Sequence, residues 1–363
     1  MEASGARQSL GWLRTLALGL AVGGLFLWLA LRGVPVAALG EAFARIHWVY
    51  LLHVAVAVLL QYALRAARQQ VMLRPLAPGL GFRDHLSITA IGFFCVNVFP
   101  ARLGEAVRPL LFAERAAVPL GAGFALVLVE RVLDLVAILV CLLATSAWVE
   151  LPDRPIEIAG RPVAAADLAR TAAIVLLVPL LAGLLALALL GPAALRLGER
   201  VVQALEARSA APLLQRLGRG LLRFGTAFVE GLHGLLSPAR LAAVAALTAL
   251  LFVAMGLMMS AFAHAFGLQD RLGFAPGIAV LSITMLGIAL PAPPGFAGVF
   301  EASARAGLAL FGVRGDAEAG VSLAFALVLH WWPFLLLCAL AGLFLWRERV
   351  GLGRLFRFAR GPS

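Results

Sequence analysis

Six stretches of this chain are apolar for long enough to cross a lipid bilayer, and no other property limits its folding so sharply. They are residues 15–32, 48–73, 117–148, 171–191, 241–266 and 319–346. A hydrocarbon core about 30 Å thick needs about 20 helical residues at about 1.5 Å each. Composition agrees: 62% of the 363 residues are hydrophobic and 13% charged, where a soluble domain has about 45–50% and about 25%. The expected fold class is an all-α polytopic membrane protein.

Two further segments, 86–115 and 276–311, are apolar but broken. Pro100 interrupts the first, Pro291, Pro293, Pro294 and Gly295 interrupt the second, and charged residues follow each break. Short apolar pieces interrupted by Pro and Gly read as re-entrant helical hairpins more readily than as full spans. Arginine placement supports that reading. The formal charge is +11 and every one of the 30 basic residues is arginine. With both hairpins returning to the side they enter, 21 arginines fall on one side and 8 on the other, with Arg131 inside a span. The positive-inside rule then places both termini in the cytoplasm and the protein in the inner membrane. It also accounts for the basic balance without a nucleic-acid partner. Arg7 and Arg14 before the first apolar run resemble a signal peptide, but that run is long for one and is read as the first span. Cys95, Cys141 and Cys338 stand alone in apolar stretches and read as core residues.

The two broken segments resemble each other. LSITAIG at 86–92 recurs as LSITMLG at 281–287, an offset of 195 with five of seven residues identical. Pro100 then falls near Pro294, Glu105 near Glu301, Arg108 near Arg305, and FALVL at 124–128 recurs at 325–329. Each half, 10–148 and 171–346, reads as span, span, hairpin, span, in one domain over 1–350 with a basic tail at 351–363. The halves start on opposite sides, the inverted arrangement of many alternating-access transporters. The insert 193–240 alternates arginine with leucine and reads as amphipathic helices on the inner leaflet.

In the first hairpin the chain would turn near Asn97–Pro100, at membrane depth, with Glu105 about 7 Å beyond the tip. Both returning helices would aim their positive N-terminal ends at the centre, with Gly295 and Gly298 allowing close approach, a setting that suits an anionic phosphate. Within a span, VERVLDL carries Glu130, Arg131 and Asp134; ionisable groups at that depth are costly and mark functional candidates. The bland alternative is an internal ion pair pinning helix to hairpin. Arg65 and Arg68 read as anchors at a span end, and His330, beside Trp331 and Trp332, as a packed residue.

The motifs NVFPARLGEAVRPLLF, VERVLDL and LPAPPGFAGVFEAS together resemble the flippase-like membrane family whose best-known member is the transmembrane region of lysylphosphatidylglycerol synthases. The similarity runs over about residues 10–350. It implies a lipid-translocating fold, with charged family positions at Arg102, Glu105, Arg108, Glu130, Arg131, Asp134 and Glu301. No soluble aminoacyl-transferase segment follows the last span, so lysine transfer is not expected.

The favoured function is a lipid transporter in which Arg102 and Arg108 hold an anionic headgroup near Gly295, Gly298 and Arg305. Glu105 and Glu301 would serve as counter-charges or proton carriers. There is no GxxxxGK[ST] nucleotide motif, and no cofactor or metal is expected. Two other classes compete. A membrane transferase would use acids of an outer loop, for which LPDRPIE at 151–157 is the one candidate. A non-transporting protein would serve as membrane partner of a separate lipid-modifying enzyme.

Overall fold

The computed structural model describes residues 28, 35–99, 104–148, 156–158, 161–163, 165–207, 212–235, 237–289, 294–314 and 318–349. The first expected span apart from Trp28, residues 100–103 with Arg102, residues 151–155, Pro291, Pro293 and the tail 351–363 lie outside them.

The described chain is helical apart from its turns and a hairpin of two three-residue strands, in which Ile156 faces Val163. The helices are α1 (Val36–Ala44), α2 (Val49–Leu73), α3 (Phe82–Val98), α4 (Val107–Ala116), α5 (Leu120–Trp148), α6 (Ala165–Ala207), α7 (Pro212–Leu235), α8 (Pro238–Ala265), α9 (Phe274–Ala289), α10 (Val299–Leu310) and α11 (Ala319–Arg347). Four of them are long and apolar enough to cross a membrane: α2, the Arg170–Leu187 part of α6, α8 and α11. The 29-residue α5 matches the expected span 117–148 in length and carries Glu130, Arg131 and Asp134 at its middle. Leu52 and Val56 on α2, Val175 and Leu189 on α6, and Leu250 and Leu257 on α8 are all exposed. Apolar faces of that extent suit hydrocarbon.

Both expected breaks are present, each with a local cause. Phe99 precedes Pro100, whose ring disfavours helical backbone at the residue before it. Phe99 accordingly turns extended (φ −85°, ψ 139°), and α3 ends. In the second break Gly295 (φ 70°), Phe296 (φ 57°) and Gly298 (φ 82°) are left-handed, a region cheap for glycine and costly for phenylalanine. Glu301 then fastens the start of α10, its Oε2 accepting the Gly298 N–H at 2.6 Å. The two breaks meet: a Cβ on Gly295 would lie 3.8 Å from the Asn97 carbonyl oxygen.

Helix pairing repeats between the halves. α2 packs on α3 as α8 packs on α9, α3 on α4 as α9 on α10, and α4 on α5 as α10 on α11. Across the halves, α3 packs on α11 as α9 packs on α5, α1 on α11 as α7 on α5, and α2 and α8 pack on each other. Glycines set the closeness. A Cβ on Gly92 would collide with the Arg108 stem, and one on Gly287, 195 residues on, with Ser303. By this contact the counterpart of Arg108 is Ser303, whereas the sequence match put it near Arg305.

The expected amphipathic insert divides into two helical parts. In the insert 193–240 the first part continues α6 without interruption to Ala207. Its second part, α7, packs against α5 at Gly121, where a Cβ would meet the backbone of Phe224 and Phe228, and Phe224 sits 5.8 Å from Phe124 ring to ring.

Gly104 seats the first hairpin, since a Cβ there would strike the backbone of Cys95 and Val96. Backbone cannot rotate away, so Gly104→Ala should destabilise by about 3 kcal/mol. At Gly287 the obstacle is a serine side chain, and Gly287→Ala should cost about 1 kcal/mol. Melting of the two purified variants in detergent checks the order.

Candidate functional site: an ionic cluster beside a two-walled cavity

Arg65 and Arg68 are three apart on α2 and share a face; that face looks onto α5. Arg65 Nη1 donates to Asp134 Oδ2 at 2.8 Å, and Arg68 Nη2 to Asp134 Oδ1 at 2.7 Å. Arg131 Nη2 lies 3.6 Å from the same carboxylate. Arg68 also donates to Thr248 Oγ1 at 3.1 Å, so one aspartate ties α2, α5 and α8 together. Arg68 is 1% exposed, the opposite of a snorkelling anchor. The anchor reading fails because α5 supplies a buried acid where a span end would offer only headgroups.

Beneath the cluster lies Phe93. The guanidinium carbons of Arg65 and Arg131 each sit 5.0 Å from its ring centroid and that of Arg108 sits 5.7 Å away, in range for cation–π attraction. Arg108 itself is buried and paired, its Nη2 2.5 Å from Glu130 Oε2. The Gln69 amide, turned so that its oxygen meets Arg108, donates to Thr89 Oγ1 at 3.2 Å. The helix-pinning alternative thus describes Glu130 with Arg108 and Asp134 with Arg65 and Arg68, while Arg131 is the least tightly held and lines open space.

That space is a cavity of about 390 Å³. Its polar lining comes from the first half: Gln61, Tyr62, Arg65, Asn97, Glu105, Arg131 and Asp134. From the second half come Phe252, Met255, Met258, Met285, Phe296 and Phe300, with His330 the one titratable side chain of that wall among the described residues. Arg108, Glu130 and Glu301 do not line it. Glu301 is fully buried behind His330, its Oε1 2.7 Å from His330 Nδ1. Gly295 and Gly298 shape the tip beside Phe296, and Arg305 is half-buried on α10. The Arg131 Nε and Nη2 atoms are buried without a hydrogen-bond partner.

From sequence Arg65 and Arg68 read as anchors and not as site residues, and Phe93 gave no signal. The one available signal was the spacing of Arg65 and Arg68 within an apolar helix.

Arg108 and Glu130 are each 2% exposed at the side chain. Removing one partner strands the other, at a cost of about 3–5 kcal/mol, whereas replacing both with apolar residues is often near neutral. Arg108→Met and Glu130→Leu should each lower the melting point sharply, and the double variant should recover most of the loss.

Helices of membrane-crossing length, breaks that meet and charges buried against an amphipathic cavity define a polytopic helical membrane protein with an internal cavity. The chain belongs to the family described as the lysylphosphatidylglycerol synthase transmembrane region, whose family model matches residues 16–356. Comparison with curated proteins and with solved structures found no match.

Proposed function

We propose that this membrane protein is a lipid flippase-like transporter that moves a lipid with an anionic headgroup, a phospholipid or a polyprenyl-linked lipid, between leaflets. One observation carries the reading: apart from His330, the polar groups of the cavity come from one half of the chain, and the rest of its lining is apolar. That division suits an amphiphile, whose headgroup and hydrocarbon want different surroundings.

Arg131 and Arg65 are the phosphate ligands of this reading. The unmet N–H groups of Arg131 give it bonds to offer, and a planar guanidinium matches phosphate oxygens two at a time. Glu105 is the counter-charge that keeps the empty site from holding the anion too tightly. Arg108, assigned to the headgroup from sequence, positions α4 through Glu130, and Arg102 is a further ligand of this reading. Re-entrant hairpins entering from opposite sides, with both termini cytoplasmic, would let the repeated pairing adopt two mirror-related arrangements and open the cavity to each leaflet in turn. A separate lipid-modifying enzyme would supply the substrate.

The test is leaflet exchange in proteoliposomes with fluorescent lipids of different headgroups. Exchange of anionic lipids above the protein-free rate, and faster than that of zwitterionic ones, is expected. Rates equal to protein-free vesicles for every headgroup overturn the proposal.

A further inference from the structure

His330 and Glu301 join α11 to α10, the helix that follows the second break. Both carboxylate oxygens of Glu301 are engaged, Oε2 by the Gly298 N–H at 2.6 Å and Oε1 by His330 Nδ1 at 2.7 Å. The ring is held by stacking on Phe300, centroids 4.3 Å apart and planes 11° off parallel. Since a carboxylate only accepts, Nδ1 carries its hydrogen toward Glu301. Nε2 is then the atom that can take another proton, and His330 lines the cavity.

The pair has two charge states. With neutral imidazole it carries a net −1, buried, and with imidazolium it is a neutral ion pair. The other charged groups on the cavity wall are Arg65 on α2, Arg131 and Asp134 on α5, and Glu105 before α4. Formally these cancel. Tyr62 on α2 is the remaining titratable lining group, and the lining contributions of α3, α8 and α9 carry no charge. Arg305 shares α10 with Glu301, and on α1, packed against α11, Glu41 is exposed and sits 3.7 Å from Arg45. The state of one histidine, with Glu301 buried behind it, therefore changes the net charge at the cavity by one.

An anion entering the cavity meets that difference. Resting on the transport reading above, we infer that His330 with Glu301 is a proton-binding site, and that the cavity takes up an anionic headgroup together with one proton. The proton adds to Nε2, no covalent bond breaks, and a monoanionic headgroup and its proton move as a neutral pair. By linkage each ligand raises the affinity for the other by the same factor.

The experiment titrates the full chain in detergent with phosphatidylglycerol bearing two six-carbon chains, by calorimetry, in two buffers of different ionisation enthalpy. Wild type should take up close to one proton per lipid, with affinity falling as pH rises, by at most about tenfold per pH unit. His330→Gln should still bind the lipid, with no proton uptake and a flat pH profile. Binding by wild type without proton uptake overturns the inference and leaves the transport reading standing; this arm decides even if the variant fails to fold. Uptake retained in His330→Gln moves the proton to Glu105 or Asp134 and overturns the assignment. Absence of lipid binding at every pH overturns the transport reading and this inference together.

Discussion

Asp134→Asn is expected to destabilise the protein by about 3–5 kcal/mol, more than loss of any one arginine around it. The carboxylate is the shared partner of Arg65 and Arg68 at 2.8 and 2.7 Å and lies 3.6 Å from Arg131. Asparagine keeps the shape and offers one acceptor oxygen, but it leaves adjacent guanidinium groups in a low-dielectric interior without a counter-charge. Losing a single arginine leaves the aspartate its other two. The apparent melting temperature in detergent should fall by roughly 10 °C. Adding Arg68→Gln to Asp134→Asn should restore part of the loss, because it removes the most buried of the stranded charges. A melting point within a degree or so of wild type would mean that the cluster does not hold α2, α5 and α8 together.

Cross-linking the two breaks is expected to stop lipid exchange. The Asn97 carbonyl oxygen and the position of a Gly295 Cβ are 3.8 Å apart, so Asn97→Cys with Gly295→Cys places the thiols within range of a short bridging reagent. Gly295 has φ 70°, and cysteine there carries strain of about 1 kcal/mol, tolerable for a folded variant. If the cavity opens to each leaflet by parting the hairpins, bridging should abolish exchange and reductant should restore it. Unchanged exchange after complete bridging would show that lipid passes without the breaks separating.

Much of this arrangement is legible in the chain itself, because its causes are local. Pro100 ends α3 through the backbone of Phe99, and the glycines of PPGFAG sit where left-handed backbone is needed. The repeated LSIT–G segments place Gly92 and Gly287 on the same seam of the two hairpins. Spacing also brings Arg131 within ion-pair range of Asp134. What could not be read is partnership across the fold. Asp134 finds its shorter contacts 66 and 69 residues away on α2, and a cation near a span end reads as an anchor until a buried acid faces it. His330 reads as packing because its partner Glu301 lies on the preceding helix, 29 residues earlier. Phe93 gave no signal, since a phenylalanine in an apolar helix is ordinary, and only the convergence of three arginines distinguishes it. The repeat also suggested more symmetry than exists: Arg108 in one hairpin is matched by Ser303 in the other, and Arg65, Glu105, Arg131 and Asp134 on the cavity wall all come from one half.

The central claim is that this charged wall carries the headgroup, and Arg131→Gln tests it most directly. Arg131 lines the cavity and is the arginine held most loosely by Asp134, so its loss should leave the melting point nearly unchanged. Leaflet exchange of an anionic lipid is measured in proteoliposomes per correctly folded molecule, beside Arg196→Gln on the exposed face of α6. The expected result is a loss of about tenfold or more for Arg131→Gln, as one charge-assisted phosphate contact of about 1.5–3 kcal/mol would give, with Arg196→Gln at the wild-type rate. Wild-type exchange in a well-folded Arg131→Gln would contradict the account.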